Sequence, residues 1–203
     1  MQSKADPRPT VLLTGFGPFP GVPDNASAAI AERVAAKARS EFPNRRFVST
    51  VLPTEWRRAP RRVAVFHARL QPVLALHIGV ASQRPTIRLE TRAENVCRES
   101  VDAAGLPPLS ATLCPDGPPE RTVSIDIPLI AHKLDDLAIG HEISDDAGSY
   151  LCNAVLYQSL ASCEARGSGT AGFVHVPRDP LDIHRMNEII TAMMGIIGIC
   201  LAP

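Results

Sequence analysis

The chain is short of aromatics, has no net charge and has no long apolar run, and each shortage removes a class of function. Aromatic residues are 4% of the 203, too few for a surface on which single-stranded nucleic acid would stack. Lys plus Arg and Asp plus Glu stand at 21 each, so no overall field draws in nucleic acid or an anionic membrane. The most apolar stretch, 189–202, falls short of the roughly 20 residues of a spanning helix and reads as a buried terminal helix or one packed on a partner. The first residues lack the apolar run of a secretory signal. Cysteines 97, 114, 152, 163 and 200 include no Cys-x-x-Cys pair, which fits neither a zinc ribbon nor a disulfide framework. A reducing cytoplasm is the expected setting.

Hydrophobic residues, at 45%, are plentiful enough to rule out wholesale disorder. A chain this long buries roughly 70% of the surface its unfolded form exposes, so no disulfide, metal or other cofactor is needed to hold it. We expect a single domain over 1–203, with residues 1–9 as a flexible tail.

Short apolar runs alternate with helical patterns. Strands are expected at 11–14, stopped by Gly15, at 47–52, at 73–78, stopped by Gly79, and at 171–176, closed by Pro177. Helices are expected over 28–42, over 55–70 with a kink or break at Pro60, over 127–137 begun by Pro128, on the face marked by Leu151, Cys152, Val155, Leu156 and Leu160, and from about Leu181. Residues 102–122 read as loop, with room for a short strand at 109–113. The alternation implies an α/β fold, a three-layer α/β/α sandwich around a mostly parallel, mixed and twisted sheet.

Three side chains could carry chemistry. Cys152 falls in the first turn of its helix, after a turn at Gly148 and a cap at Ser149, where free N–H groups and the helix dipole favour a thiolate and could hold an oxyanion. His175 ends a strand, where ligands collect in open α/β sheets. Glu90 shares one side of the extended segment 86–92 with Thr86, Arg88 and Arg92, and the two arginines would hold it ionised. Such a carboxylate can orient a histidine. Each also has a plainer reading: Cys152 and His175 as core residues, and Glu90 as a solvated strand charge. His77, closely followed by Gly79, reads as packing.

Four segments carry a resemblance. Thr14-Gly-Phe-Gly-Pro-Phe-Pro-Gly21 with Asn25-Ala-Ser27, the block from Gly79 through Glu90 to Asn95, Ser144-Asp-Asp-Ala-Gly-Ser-Tyr-Leu-Cys-Asn153, and Phe173-Val-His-Val-Pro177 resemble the signature blocks of pyroglutamyl peptidase type I, in the family's order. The resemblance implies a cysteine omega peptidase that hydrolyses N-terminal pyroglutamate from peptides through a thioester acyl-enzyme. Cys152 would be the nucleophile, His175 the base and then acid, and Glu90 the residue orienting it. Phe16 and Phe19 would pack on the substrate ring, against the plainer reading of loop-to-core packing. No metal is required, the partners are pyroglutamyl peptides rather than nucleic acid or membrane, and a dimer or tetramer is implied. Pro20, Ala26, Arg88, Thr91, Arg92 and His141 depart from the family pattern and bear on the shape of the pocket. A related cysteine amidase with another small acyl specificity, or a silent binder of blocked N-termini, are the alternatives.

Overall fold

The computed structural model describes residues 6–19, 21–81, 86–178 and 182–202. Among these residues six strands form the main sheet, in the spatial order β2 (Arg46–Leu52), β1 (Thr10–Phe16), β3 (Leu74–Ala81), β8 (Thr170–Pro177), β4 (Ile87–Glu90) and β7 (His141–Ser144). All neighbours are parallel except β4 and β8, which pair antiparallel. A separate ribbon joins β5 (Arg92–Glu94) to β6 (Glu120–Thr122). One face of the sheet carries α1 (Ala26–Glu41), α3 (Ile127–Asp136) and α5 (Ile183–Leu201); the other carries α2 (Ala59–Leu70) and α4 (Leu151–Arg166). The expected three-layer sandwich with a mixed sheet is what these residues build.

Strand β1 is buried along its whole length, because helices cover both faces of an inner strand. Neighbouring residues feed two separate cores: Leu76, Ile78, Val174 and Val176 face α1, α3 and α5, whereas Ala75, Ala171 and Phe173 face α2 and α4. In α5, Ile189, Met193, Ile196 and Ile197 are fully buried inside the subunit, so the apolar end of the chain completes its own core.

Several boundaries differ from expectation. Pro60 neither kinks nor breaks a helix, since α2 starts at Ala59 and holds the proline in its first turn, where a missing N–H costs nothing. Strands β1 and β3 run through Gly15 and Gly79 instead of stopping there. At Gly15 a Cβ would run into the Ser27 carbonyl, so the glycine lets α1 sit on the strand. No strand forms at 109–113; the short strand of that region is β6. The strand β7 was not legible, because four residues with a single aliphatic side chain show no apolar run. Its His141 pairs in register with Ile87 at the sheet edge and does not line the candidate site. Of the expected tail 1–9, residues 1–5 lie outside the described residues, whereas Arg8 donates to the Pro43 carbonyl at 3.0 Å and Pro9 accepts from Arg46 at 3.0 Å. Leu181 and Pro20 also lie outside them. No helix among the described residues is long and apolar enough to cross a membrane.

Candidate active site

The sheet register puts the sequence candidates on one face. On β8, His175 stands opposite Gly79 of β3 and opposite Arg88 of β4, while Phe173 stands opposite His77 and Glu90. Because side chains alternate, all six positions look toward α4. Glu90 is fully buried and His175 nearly so. The His175 Nδ1 lies 2.7 Å from Glu90 Oε1, so Nδ1–H donates to the carboxylate and Nε2 is left as the nitrogen that can exchange a proton.

Cys152 enters from the helix above. The N-cap of α4 is Tyr150, in extended conformation and without a side-chain cap, which corrects the expected cap at Ser149. Cys152 is therefore in the first turn, where the leading N–H groups have no acceptor within the helix. Asn153 holds that turn in place: its Oδ1 accepts from the Glu94 N–H at 2.8 Å and its Nδ2 donates to the Glu94 carbonyl at 2.7 Å. Gly79 makes the approach possible. A Cβ there would lie 3.0 Å from the Cys152 sulfur and 2.8 Å from the Phe173 ring.

The His175 pKa is raised from 6.5 to about 9. Burial alone would lower it, but the Cys152 charge and hydrogen bond, and then the Glu90 hydrogen bond and charge, overcome that penalty. His77 behaves in the opposite way. It is fully buried with Nδ1 2.7 Å from Thr14 Oγ1, and burial, with a smaller push from His67, lowers its pKa to about 3. It is a packed, neutral ring, as the sequence reading had it.

Of the two arginines expected beside Glu90, one arrives. Arg88 Nε is 3.9 Å from Glu90 Oε1. Arg92 is diverted, because the extended segment ends at Glu90 and a different sheet begins at Arg92; its guanidinium meets Glu120 at 2.6 Å and Glu94 at 3.1 Å.

A cavity of about 270 Å³ opens over Cys152 and His175, walled by Phe16, Phe19, Thr54, Val80, Arg88 and Tyr150, among others. Phe16 is almost wholly buried against Phe173, with ring centroids 6.3 Å apart, and is as much a core residue as a wall. Phe19 is half-buried and meets Tyr150 at 6.4 Å. Their loop is held by the Asn25 side chain, which donates to the Gly17 carbonyl at 3.1 Å and accepts from the Ser27 hydroxyl at 2.7 Å. Thr54 Oγ1 donates to the same Gly17 carbonyl at 2.9 Å. Thr54, Tyr150 and Asn153 were not singled out from sequence. Tyr150 and Asn153 sat inside the quoted cysteine block, where position relative to the helix start was the available signal.

The pyroglutamyl peptidase family profile matches residues 9–196. Pyroglutamyl-peptidase 1 of Rattus norvegicus is 29% identical over 199 residues, covering 94% of this chain and 92% of that protein. Pyrrolidone-carboxylate peptidase of Thermococcus litoralis is 30% identical over 172 residues, covering 84% of this chain and 77% of the relative. Among solved structures, pyrrolidone carboxyl peptidase from Pyrococcus furiosus superposes with a TM-score of 0.83 at 26% identity, covering 95% of this chain and 98% of that one.

Proposed function

The chain belongs to the pyroglutamyl peptidase family and is a cysteine omega peptidase that removes N-terminal pyroglutamate from peptides, and we propose that it acts through Cys152, His175 and Glu90. The observation that carries this reading is the His175 ring, hydrogen-bonded to Glu90 and sharing an open cavity with Cys152, whose charge raises its pKa.

In the proposed cycle the Cys152 thiolate attacks the pyroglutamyl carbonyl carbon, and the carbonyl π electrons move to oxygen. The first N–H groups of α4 donate to that oxyanion. As it collapses, the C–N bond breaks and imidazolium His175 gives its Nε2 proton to the departing amine, leaving a thioester. Neutral His175 then takes a proton from water, the hydroxide adds to the thioester carbonyl, and the thiolate leaves with pyroglutamate released. Glu90 keeps Nδ1 protonated throughout, so the same nitrogen, Nε2, gives and receives.

Pyroglutamate is a flat, uncharged lactam, and an apolar slot suits it better than an acidic amine subsite. We assign Phe16 and Phe19 to the walls of that slot. The whole of 1–203 is proposed as one peptidase domain. Cytoplasmic residence is proposed from the five free cysteines. The dimer or tetramer is proposed on the family resemblance alone, because α5 uses its apolar residues inside the subunit.

The deciding assay measures amine release from pyroglutamyl-, prolyl- and alanyl-naphthylamides with and without a thiol blocker. Release from the pyroglutamyl compound, abolished by the blocker, is expected; equal or faster release from either other compound would overturn the assignment.

A further inference from the structure

We propose that Arg88 is a positioning residue for this reaction, holding the Glu90 carboxylate ionised and oriented toward His175. The proposal rests on the reading of Cys152, His175 and Glu90 above and adds a fourth member to it.

Arg88 and Glu90 project from the same side of β4, two residues apart. The Glu90 carboxylate is fully buried and has one N–H donor, His175 Nδ1, to Oε1; Oε2 is buried with no hydrogen-bond partner among the described residues. A buried carboxylate served by one donor is a poorly supported anion. The Arg88 side chain is largely buried, at 20% exposure, and its Nε is likewise buried without a hydrogen-bond partner. These two unmet groups, one a cationic donor and one an anionic acceptor, belong to side chains that already approach to 3.9 Å.

The far end of Arg88 is fixed. Its Nη2 donates to Ser144 Oγ on β7 and to the Asp146 carbonyl, 3.4 Å away, in the following loop. The guanidinium is thus tied to the segment that leads into α4, and its charge is presented to Glu90 at a set distance. Among the described residues, the charged or titratable groups facing the pair from the elements packed around it are His175 from β8, Glu142 from β7, Asp146 from the loop, and Tyr150 and Cys152 at the start of α4. Glu142 accepts from Thr86 Oγ1 at 2.9 Å. Among the described residues Arg88 is the permanent cation paired with Glu90.

The test follows the rate of Cys152 alkylation by iodoacetamide against pH, in parallel with kcat/KM on a pyroglutamyl amide. Alkylation needs no turnover, so it reads the charge state of the site directly. Arg88→Gln removes the charge but keeps an amide that can donate to Ser144. We expect it to move the acid limb of both profiles upward by about one pH unit, with roughly tenfold lower kcat/KM on that limb and KM changed far less. Arg88→Lys should return the limb toward wild type, and Arg88→Gln added to Glu90→Gln should bring little further change. Superimposable wild-type and Arg88→Gln profiles, or the full shift persisting without Glu90, overturn the proposal while leaving the peptidase reading intact. Wild-type protein lacking both turnover and a pH-dependent Cys152 rate overturns the two together.

Discussion

Gly79 and His175 face each other across β3 and β8, and the hydrogen that serves as the side chain of Gly79 is what leaves room for the Cys152 sulfur beside the imidazole. The arrangement joins three distant parts of the chain. A strand supplies the gap, its neighbour supplies the ring, and a helix start drops the sulfur between them.

Gly79→Ala should therefore injure chemistry more than folding. The added methyl overpacks a site already 2.8 Å from Phe173 and 3.0 Å from the sulfur, a strain of about 1–3 kcal/mol. Displacing the sulfur by even ~1 Å costs about 10²-fold in rate. Thermal melts compared with kcat/KM check this; unchanged kcat/KM would refute the packing account.

Cys152→Ser should keep the fold and lose at least ~10³-fold in kcat/KM, since a serine hydroxyl is far less ionised at neutral pH. Glu90→Gln should lose less, roughly 10²-fold, because the Cys–His pair survives. Steady-state kinetics of the two variants rank these effects, and a Glu90→Gln enzyme indistinguishable from wild type would remove Glu90 from the mechanism.

The raised His175 pKa has consequences for both activity and stability. The folded value of about 9 stands above the unfolded 6.5, so the native state binds the proton more tightly. Its stabilisation is complete below about pH 6.5 and is lost as pH rises through about 9. Turnover should fall over the same alkaline limb, as the imidazolium that protonates the leaving amine disappears. Cys152→Ala removes the foremost raising influence and should flatten the alkaline loss of stability. Urea midpoints measured from pH 6 to 10 for both proteins test it.

The two loop phenylalanines should separate. Phe16 is almost fully buried, so Phe16→Ala should cost about 3–5 kcal/mol of stability. Phe19 is half-buried at the cavity wall, and Phe19→Ala should mainly raise KM, by about tenfold. Equal losses of stability in both variants would return Phe19 to ordinary packing.

Local pattern already determined much of this protein. Apolar runs marked β1, β3 and β8 because these inner strands are covered on both faces, and periodicity marked helices that bury one stripe. The resemblance blocks named Cys152, His175 and Glu90. Tertiary structure alone decided what those residues meet. The alternation in 86–92 placed Arg88 and Arg92 together beside Glu90, yet the chain leaves the main sheet after Glu90 and only Arg88 remains. The edge strand β7, too short and polar to read, is what anchors Arg88. Gly79 looked like a strand terminator, and its purpose depends on a sulfur 73 positions away in the chain. Composition and period report on neighbours in sequence. Strand register and helix docking are set by contacts between remote segments, and those contacts bring the thiol, the ring and the carboxylate into line.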